Sequence, residues 1–511
     1  MKLCKINIVS IISLFIIVGL NSQAQILNYK DYLISKWLWN SNPKWDGQNT
    51  ARGVVTSGEN EYSYAVIDKS GKEIIPFIYD YIYSLENGLL KVEKNGNEGI
   101  FNTDGREIIP CEYSWITEAD DNSFIVYKDR KYGLIDKNGN ILVPVIYDEI
   151  SSFNEGLSMV SIYGKTGYID QNGKFVIEPV FENGSDVVDG VAAVKTNGKW
   201  GFINKKGEWI LLPQYDWVSL FTDGLACVQK DDKLFYIDKK GDCKLHPDYK
   251  FISPFFNGMA IVSNSPESND LYGLINLKGE EVLPPAYSYI YPHSEGYFVI
   301  IKSEYGIVGK DGKFIIPCDY NQMPSYQNGF FKVKKGLFYG FYNEKGEEII
   351  SVEYSDAGNF EDGRFLVKGR INNMSSAWFF LNSEGEKVSD NYTDAKSYND
   401  GLALVKTENG WGVIDKNGKI VIPCRYDLIK DFHEGLAAVN ENGKWGFIDI
   451  KNKMVVPCKY EEVDDFSEGL AAVKNNGQWG FINKKGKLII PCTLPSSSIF
   501  KNGIAIIKKQ L

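Results

Sequence analysis

Histidine occurs only 3 times and methionine only 6 times in the 511 residues. His246, His293 and His433 stand at unrelated places, and neither a His-x-x-x-His nor a Cys-x-x-Cys pattern is present. The usual ligand spacings of a zinc site are therefore missing. So are the Gly-x-Ser-x-Gly elbow of a serine hydrolase and the glycine-rich loop of a phosphate binder. Basic blocks are absent as well. The chain carries 56 Lys and Arg against 66 Asp and Glu, a formal charge of −10, which argues against nucleic acid and anionic membrane as partners. Long hydrophobic runs are lacking after the first one, Ile6 to Leu20, so no later segment is expected to span a bilayer.

That first run has its own meaning. Lys2 and Lys5 precede it and Ser22-Gln23-Ala24 follows it, the arrangement of a secretory signal peptide with a small-residue cleavage site. Residues 1–24 are read as the signal, with cleavage after Ala24. Cleavage would remove Lys2 and Lys5 and take the formal charge from −10 to −12. Cys4 lies before the apolar run, which argues against a lipid-anchor cysteine. The expected location is outside the cytoplasm: periplasmic, outer-surface or secreted.

What the chain has in excess is glycine, 49 residues, and glycine marks a repeat. The unit reads best from Glu434 to Tyr460, around Trp445-Gly446 in Asn-Gly-Lys-Trp-Gly-Phe-Ile-Asp. Residues aligned with Gly446 run Ala65, Gly99, Gly133, Gly167, Gly201, Tyr236, Gly273, Gly306, Gly340, Phe379, Gly412, Gly446 and Gly480, mostly 34 apart. A second marker, the glycine before each apolar run, keeps step at Gly156, Gly190, Gly224 and Gly258, then at Gly401, Gly435, Gly469 and Gly503. A period near 34 also fits a helical tetratricopeptide unit. Here Gly435, Gly443, Gly446 and Pro457 leave no window of roughly 10–12 residues for a helical stripe. The apolar runs are short, β-branched and aromatic, as strands are.

Each unit then has a grammar. Gly-Leu-Ala-Ala-Val, as in Gly469 to Val473, is a first strand, and Asn442-Gly443 is a turn. Trp479 to Ile482 is a second strand; Asp-x-x-Gly, as in Asp136 to Gly139 and Asp415 to Gly418, is a capped tight turn. The third strand, Ile420-Val421-Ile422-Pro423, should end at its proline. A connector carries Tyr, often Asp, an apolar residue and an aromatic, as in Tyr426, Ile429 and Phe432. Ser265 to Asp270 and Gly369 to Ser376 lengthen two units. Residues 25–50, with Trp37, Trp39 and Trp45, do not match the repeat and read as an N-terminal cap, because arrays need atypical ends. The array is assigned to 51–511, with unit one opening at Gly53-Val54-Val55 and a lone strand, Gly503 to Lys508, completing the last sheet or closing a ring.

Leu436-Ala437-Ala438-Val439 is apolar on both faces, so each sheet should be covered on both sides. The expected fold is all-β: about thirteen 34-residue units of three to four antiparallel strands, stacked as in a propeller. Closed propellers usually hold about four to eight blades, so an open spiral is expected, with two closed propellers as the alternative. Cys111, Cys318, Cys424, Cys458 and Cys492 follow a proline at one repeat position. Stacked sheets lie about 10 Å apart, too far for the about 4.4–6.8 Å between Cα atoms of a disulfide, so shielded thiols are expected.

At Trp411 to Pro423 and Lys444 to Asp449 the chain resembles the bacterial WG-repeat family. Trp200-Gly201, Trp411-Gly412, Trp445-Gly446 and Trp479-Gly480 match; Tyr132, Tyr272, Tyr305 and Tyr339 replace the Trp, and Glu98 and Thr166 depart further. The resemblance covers about 51–511 and implies β-repeats and interaction roles, with no catalytic residues to carry over.

No catalytic, cofactor-binding or metal residue is nominated, and no cofactor is expected. Paired acids such as Asp464-Asp465 read as solvated connector. The expected function is an exported, non-catalytic protein-interaction scaffold. A carbohydrate-binding protein of the cell envelope is the alternative, suggested by 14% aromatic residues and the connector Tyr. An enzyme with a site formed across repeats would need a cleft with a strongly perturbed acid or base. A protein partner is expected first and a glycan second, with no nucleic acid and no transmembrane segment after cleavage.

Overall fold

The computed structural model describes residues 62–264, 271–293, 296–372 and 375–511. The expected signal peptide, the cap, Gly53 to Val55 and the insertion 265–270 lie outside the described residues. Every strand in the described residues pairs antiparallel, and none of these residues is helical. The strands form 13 small sheets arranged in a ring, a 13-blade propeller-like fold. Blades are numbered here by the order of their Trp-Gly strands, so blade 1 holds Tyr62–Asp68 and blade 13 holds Gln478–Asn483.

Blade 12 is typical. Its strands are Leu428–His433, Leu436–Glu441, Lys444–Asp449 and Met454–Tyr460, each hydrogen-bonded to the next. Strand alternation sends neighbouring side chains to opposite faces, and both faces are covered. Ala437, Val439 and Ile448 pack with blade 11 residues such as Val413 and Ile422. Ala438, Phe447 and Val456 pack with blade 13 residues such as Val473 and Ile482. The core is thus a series of layers between blades. The connector aromatics rivet it: Phe466 meets Phe447 with ring centroids 4.8 Å apart, and Phe500 meets Phe481 at 4.9 Å.

The invariant-looking glycine has a steric cause. Trp445 pairs with Tyr460 and Phe447 with Val456, so a short segment of one strand faces a longer one. The extra residues form a bulge holding Pro457, whose missing N–H needs no ladder partner there. The bulge crosses directly over Gly446: a Cβ would meet the Val456 carbonyl oxygen at 2.4 Å and the Cys458 nitrogen at 2.7 Å. The third strand therefore runs through its proline to the tyrosine, Ile420–Tyr426 in blade 11, and does not end at Pro423 as expected. The tyrosine is its last residue and is buried, as at Tyr426 and Tyr215.

Two blades place phenylalanine at this position. Val367 pairs with Phe379 just as Val439 pairs with Gly446, and blade 10 keeps only three strands, with isolated bridges such as Trp378 to Tyr392 beyond them. In blade 6 the pairing Val228–Phe235 shows that Phe235, not Tyr236, stands in the glycine slot. There the third strand shrinks to Cys243–Leu245. Ala65 in blade 1 keeps the bulged register, Tyr64 to Tyr79 and Val66 to Ile75, so one methyl is tolerated and a ring is not. The lengthened unit around Gly369 extends its hairpin by pairing Gly369 with Ala377 and Arg370 with Ser376.

The array is closed, which corrects the expected open spiral. Tyr62–Asp68 pairs in continuous register with Ile504–Gln510, from Tyr62–Gln510 to Asp68–Ile504. The C-terminal strand fills the slot that the repeat grammar assigns to Gly53-Val54-Val55. Ala505 and Ile507 then pack with Ala65, Phe481 and Ile490 in one layer between the first and last blades. With 13 sheets the ring exceeds the usual about eight blades of a closed propeller.

Candidate functional site

Most of the repeated polar residues are occupied by the scaffold. Asp136 accepts from the backbone N–H groups of Asn138 (2.9 Å) and Asn140 (2.8 Å), as the turn reading requires. A Cβ on Gly139 would lie 2.4 Å from the Ile108 carbonyl oxygen of the neighbouring blade. Where an acid follows the connector Tyr it caps the next hairpin: Asp427 accepts from Asn442 N–H at 2.7 Å and Glu461 from Gly477 N–H at 2.9 Å. The acid before the second glycine marker stitches neighbours. Glu155 accepts from Gly190 N–H (3.1 Å) and lies 2.8 Å from Lys205 Nζ, whose hydrogen bond holds its carboxyl below the usual range.

The tryptophans of the Trp-Gly pairs are half to fully buried and belong to rows across their sheets. In blade 11 Asp394, Lys406, Trp411 and Tyr426 are successive cross-strand partners, with the Lys406 ammonium 5.8 Å from the Trp411 ring centre. Blade 13 repeats this with Glu462, Lys474 and Trp479; Lys474 Nζ is 2.6 Å from Glu462 and 5.6 Å from the Trp479 ring. In blade 12, where Asn440 takes the lysine place, Lys430 covers Trp445 at 5.5 Å from the connector. These are cation–π contacts of structural kind.

The five proline-following cysteines are half-buried free thiols, as expected from their spacing. Cys458 Sγ donates to the Val439 carbonyl at 3.8 Å and Cys492 Sγ to that of Val473 at 3.8 Å. Burial pushes the Cys111 thiol up to about 11. His433 Nε2 lies 3.6 Å from Asp465 Oδ2 across two connectors, and His246 stacks on Phe235. Among the described residues no three metal-ligating side chains gather.

Exposed aromatic side chains gather on three connector strands. Their alternate positions project away from the buried isoleucines Ile82, Ile116 and Ile290. In blades 4 to 7 one of these positions is a serine that is used internally, as Ser185 accepts from Ala193 N–H at 2.9 Å. In blades 2, 3 and 8 the positions hold Tyr81 and Tyr83, Trp115, and Tyr289 and Tyr291. Tyr83 is 43% exposed, Trp115 42%, Tyr289 47% and Tyr291 40%. Tyr81 and Tyr83 stack with centroids 6.0 Å apart, and Tyr289 and Tyr291 at 6.1 Å with planes only 4° apart. Tyr81 also touches Tyr64 of blade 1 at 5.6 Å. Trp115 begins a fully aromatic row, pairing with Tyr127, then Tyr132, then Tyr147. Blades 1 to 3 thus present an aromatic arc in two parts, Tyr64, Tyr81 and Tyr83 on one side and the Trp115 row on the other. The repeat position was legible in sequence, but the buried connector Tyr had been the glycan candidate; the exposed rings lie two and four residues beyond it.

One acid pair is perturbed. Asp186 keeps part of its surface open to water, yet the protein crowding it raises its carboxyl pKa. Glu149 is raised by the same desolvation and by the Asp186 charge. Glu118 is raised by desolvation too.

The WG containing repeat family matches 13 successive segments, 64–97, 99–132, 132–165, 167–200, 200–233, 235–265, 272–303, 305–336, 339–368, 378–411, 411–445, 445–479 and 479–510. No curated protein matches. Among solved structures, the chain is similar to the extracellular domain of a B. thetaiotaomicron hybrid two component system, at 12% identity over 78% of this chain and 68% of that chain, TM-score 0.23. It is similar to a eukaryotic initiation factor at 8% identity over 66% and 97%, TM-score 0.33, and to Kluyveromyces lactis Hsv2p at 13% over 44% and 90%, TM-score 0.23. None of these likenesses bears on function.

Proposed function

The chain belongs to the WG containing repeat family, and from that membership and the surface just described we propose an exported, non-catalytic scaffold that binds a protein partner. The observation that carries this reading is the group of aromatic side chains on the connectors of blades 2 and 3, where Tyr83 and Trp115 are large and solvent-exposed. Tyrosine and tryptophan dominate the energetics of protein interfaces, because they bring much contact area at little entropic cost. Export is supported by Lys2, Lys5, the run Ile6 to Leu20 and the small residues before Gln25.

The test is a photo-crosslinking amino acid placed at Tyr83 or Trp115 in the full-length protein inside its native cell. A discrete protein adduct at both positions, absent at exposed Ile420, is the expected result. Adducts of no defined mass would remove the scaffold reading. A second reading rests on blade 8: the parallel, stacked Tyr289–Tyr291 pair exposes ring surface suited to a sugar face, and a glycan array on Tyr289→Ala against wild type tests it.

A further inference from the structure

Blade 6 departs from the repeat at several positions that meet in one place. Phe235 fills the glycine slot, so the third strand cannot cross it and stops at Leu245. His246 follows, in the position of the bulge proline, and its ring lies parallel to that of Phe235, with centroids 6.0 Å apart and planes 7° apart. The hairpin turn reads Lys230-Asp231-Asp232-Lys233 in place of the usual Asn-Gly. The strand thus displaced leaves an open cleft of about 320 Å³, lined by Lys230, Asp231, Lys233, Phe235, Cys243 and His246. That is the lower end of the roughly 300–1,000 Å³ of ligand sites.

The free chemistry of the lining is specific. Lys230 Nζ is engaged by Gln214 at 2.9 Å, and the Asp231 backbone N–H by Asp216 at 3.1 Å. Lys233 pairs with Lys230 through the backbone only, and the side chains of Lys233 and His246 make no hydrogen bond or ion pair among the described residues. The cleft therefore offers one unpaired ammonium, one exposed carboxylate and an aromatic wall. An ammonium selects an anionic group, a carboxylate accepts hydrogen bonds from neutral hydroxyls, and an aromatic wall takes a flat apolar face.

We propose that this cleft binds an acidic sugar, a hydroxylated ring bearing a carboxylate. The carboxylate pairs with Lys233, ring hydroxyls donate to Asp231, and the ring face rests on His246 and Phe235. The site goes beyond the aromatic arc of blades 1 to 3 and stands or falls separately from it.

Cys243 supplies the assay, being the one exposed cysteine among the described residues and part of the cleft wall. The full-length protein is alkylated with iodoacetamide with and without glucuronate, against glucose and sodium chloride at matched ionic strength, and glucuronate binding is measured by calorimetry in parallel. Saturating glucuronate is expected to slow alkylation of Cys243 about tenfold while neither control does; a tenfold ratio corresponds to about 1.4 kcal/mol. Lys233→Glu, at an exposed turn, should keep the fold by circular dichroism and lose both the protection and the heat signal. Absence of protection at millimolar glucuronate, equal protection by glucose, or protection that survives Lys233→Glu overturns the proposal.

Discussion

Lys69 Nζ lies 3.0 Å from the Glu468 carboxylate and donates to the Glu468 carbonyl oxygen at 3.2 Å, joining the first blade to the last. It is the same contact that Lys484 makes with Glu434 and Lys205 with Glu155. The seam is therefore stitched like any other junction, although its partners lie at opposite ends of the sequence.

The seam is held by the closing strand far more than by this ion pair. Lys69 and Glu468 both keep solvent contact, so Lys69→Ala should cost less than about 1 kcal/mol. Ile507 is 1% exposed in the layer between blades 13 and 1. Ile507→Ala should cost about 2–5 kcal/mol, and removal of residues 504–511 should open blades 1 and 13 to protease first. Urea unfolding with limited proteolysis separates the two effects; equal losses from both substitutions would contradict a strand-sealed ring.

Gly446 offers a second test. A methyl there meets the Val456 carbonyl and the Pro457–Cys458 peptide, so Gly446→Ala should cost about 1–3 kcal/mol. Ala65 shows that the register survives. Gly446→Phe should do to blade 12 what Phe235 does to blade 6: shorten the third strand and uncover Cys458. The readout is alkylation of Cys458, whose thiol burial raises its pKa in the wild type. Cys458 that stays protected in Gly446→Phe would refute the steric account.

Periodicity carried the fold class because each unit solves the same packing problem, and Ala437 and Ala438 already announced two covered faces. Ring closure was not legible, since it depends on the small rotation between sheets. The strand passing through Pro423 was missed because proline usually marks a strand end, and only the register reveals a bulge over glycine. The aromatic arc was hidden by alternation. Tyr426 and Tyr81 look alike in sequence, yet one ends a buried strand and the other begins an edge. Trp445 is half-buried, so Trp445→Ala should fall below the about 3–5 kcal/mol expected of a fully buried tryptophan, with Trp479 closer to that range.

Blade 2 replaces its tryptophan with Glu98, which is 1% exposed and 2.8 Å from Lys91 Nζ. Together they hold one residue of blade 3: Glu98 accepts from Ile116 N–H at 2.7 Å, and Lys91 donates to the Ile116 carbonyl at 3.0 Å. Glu98→Ala should cost about 3–5 kcal/mol, because it strands a shielded ammonium as well as a backbone donor. Lys91→Met should be comparably harmful alone. In a double-mutant cycle the pair should cost less than the sum of the singles; strict additivity would mean that the two groups act independently.

The pH dependence of stability has two opposing parts. Hydrogen bonds lower the carboxyl pKa of Glu155 through Lys205, of Asp216 through Lys199 and of Asp68 through Ser70. For these groups the folded pKa lies below the unfolded one, so the stabilisation is present above about pH 4 and is lost as pH falls through the folded values. Asp186 behaves in the reverse sense. Desolvation raises its folded pKa, so its ionised form weakens the fold at neutral pH, and acid relieves that cost. Asp186→Asn should therefore raise the melting temperature at pH 7, and the gain should vanish as pH falls through the raised pKa of Asp186. Glu155→Gln should lower the melting temperature at pH 7 and flatten the acid limb. Differential scanning calorimetry of the three proteins from pH 3 to pH 7 decides the matter: a stabilising effect of Asp186→Asn that persists unchanged at the acid end would show that crowding around Asp186 is not what its charge opposes.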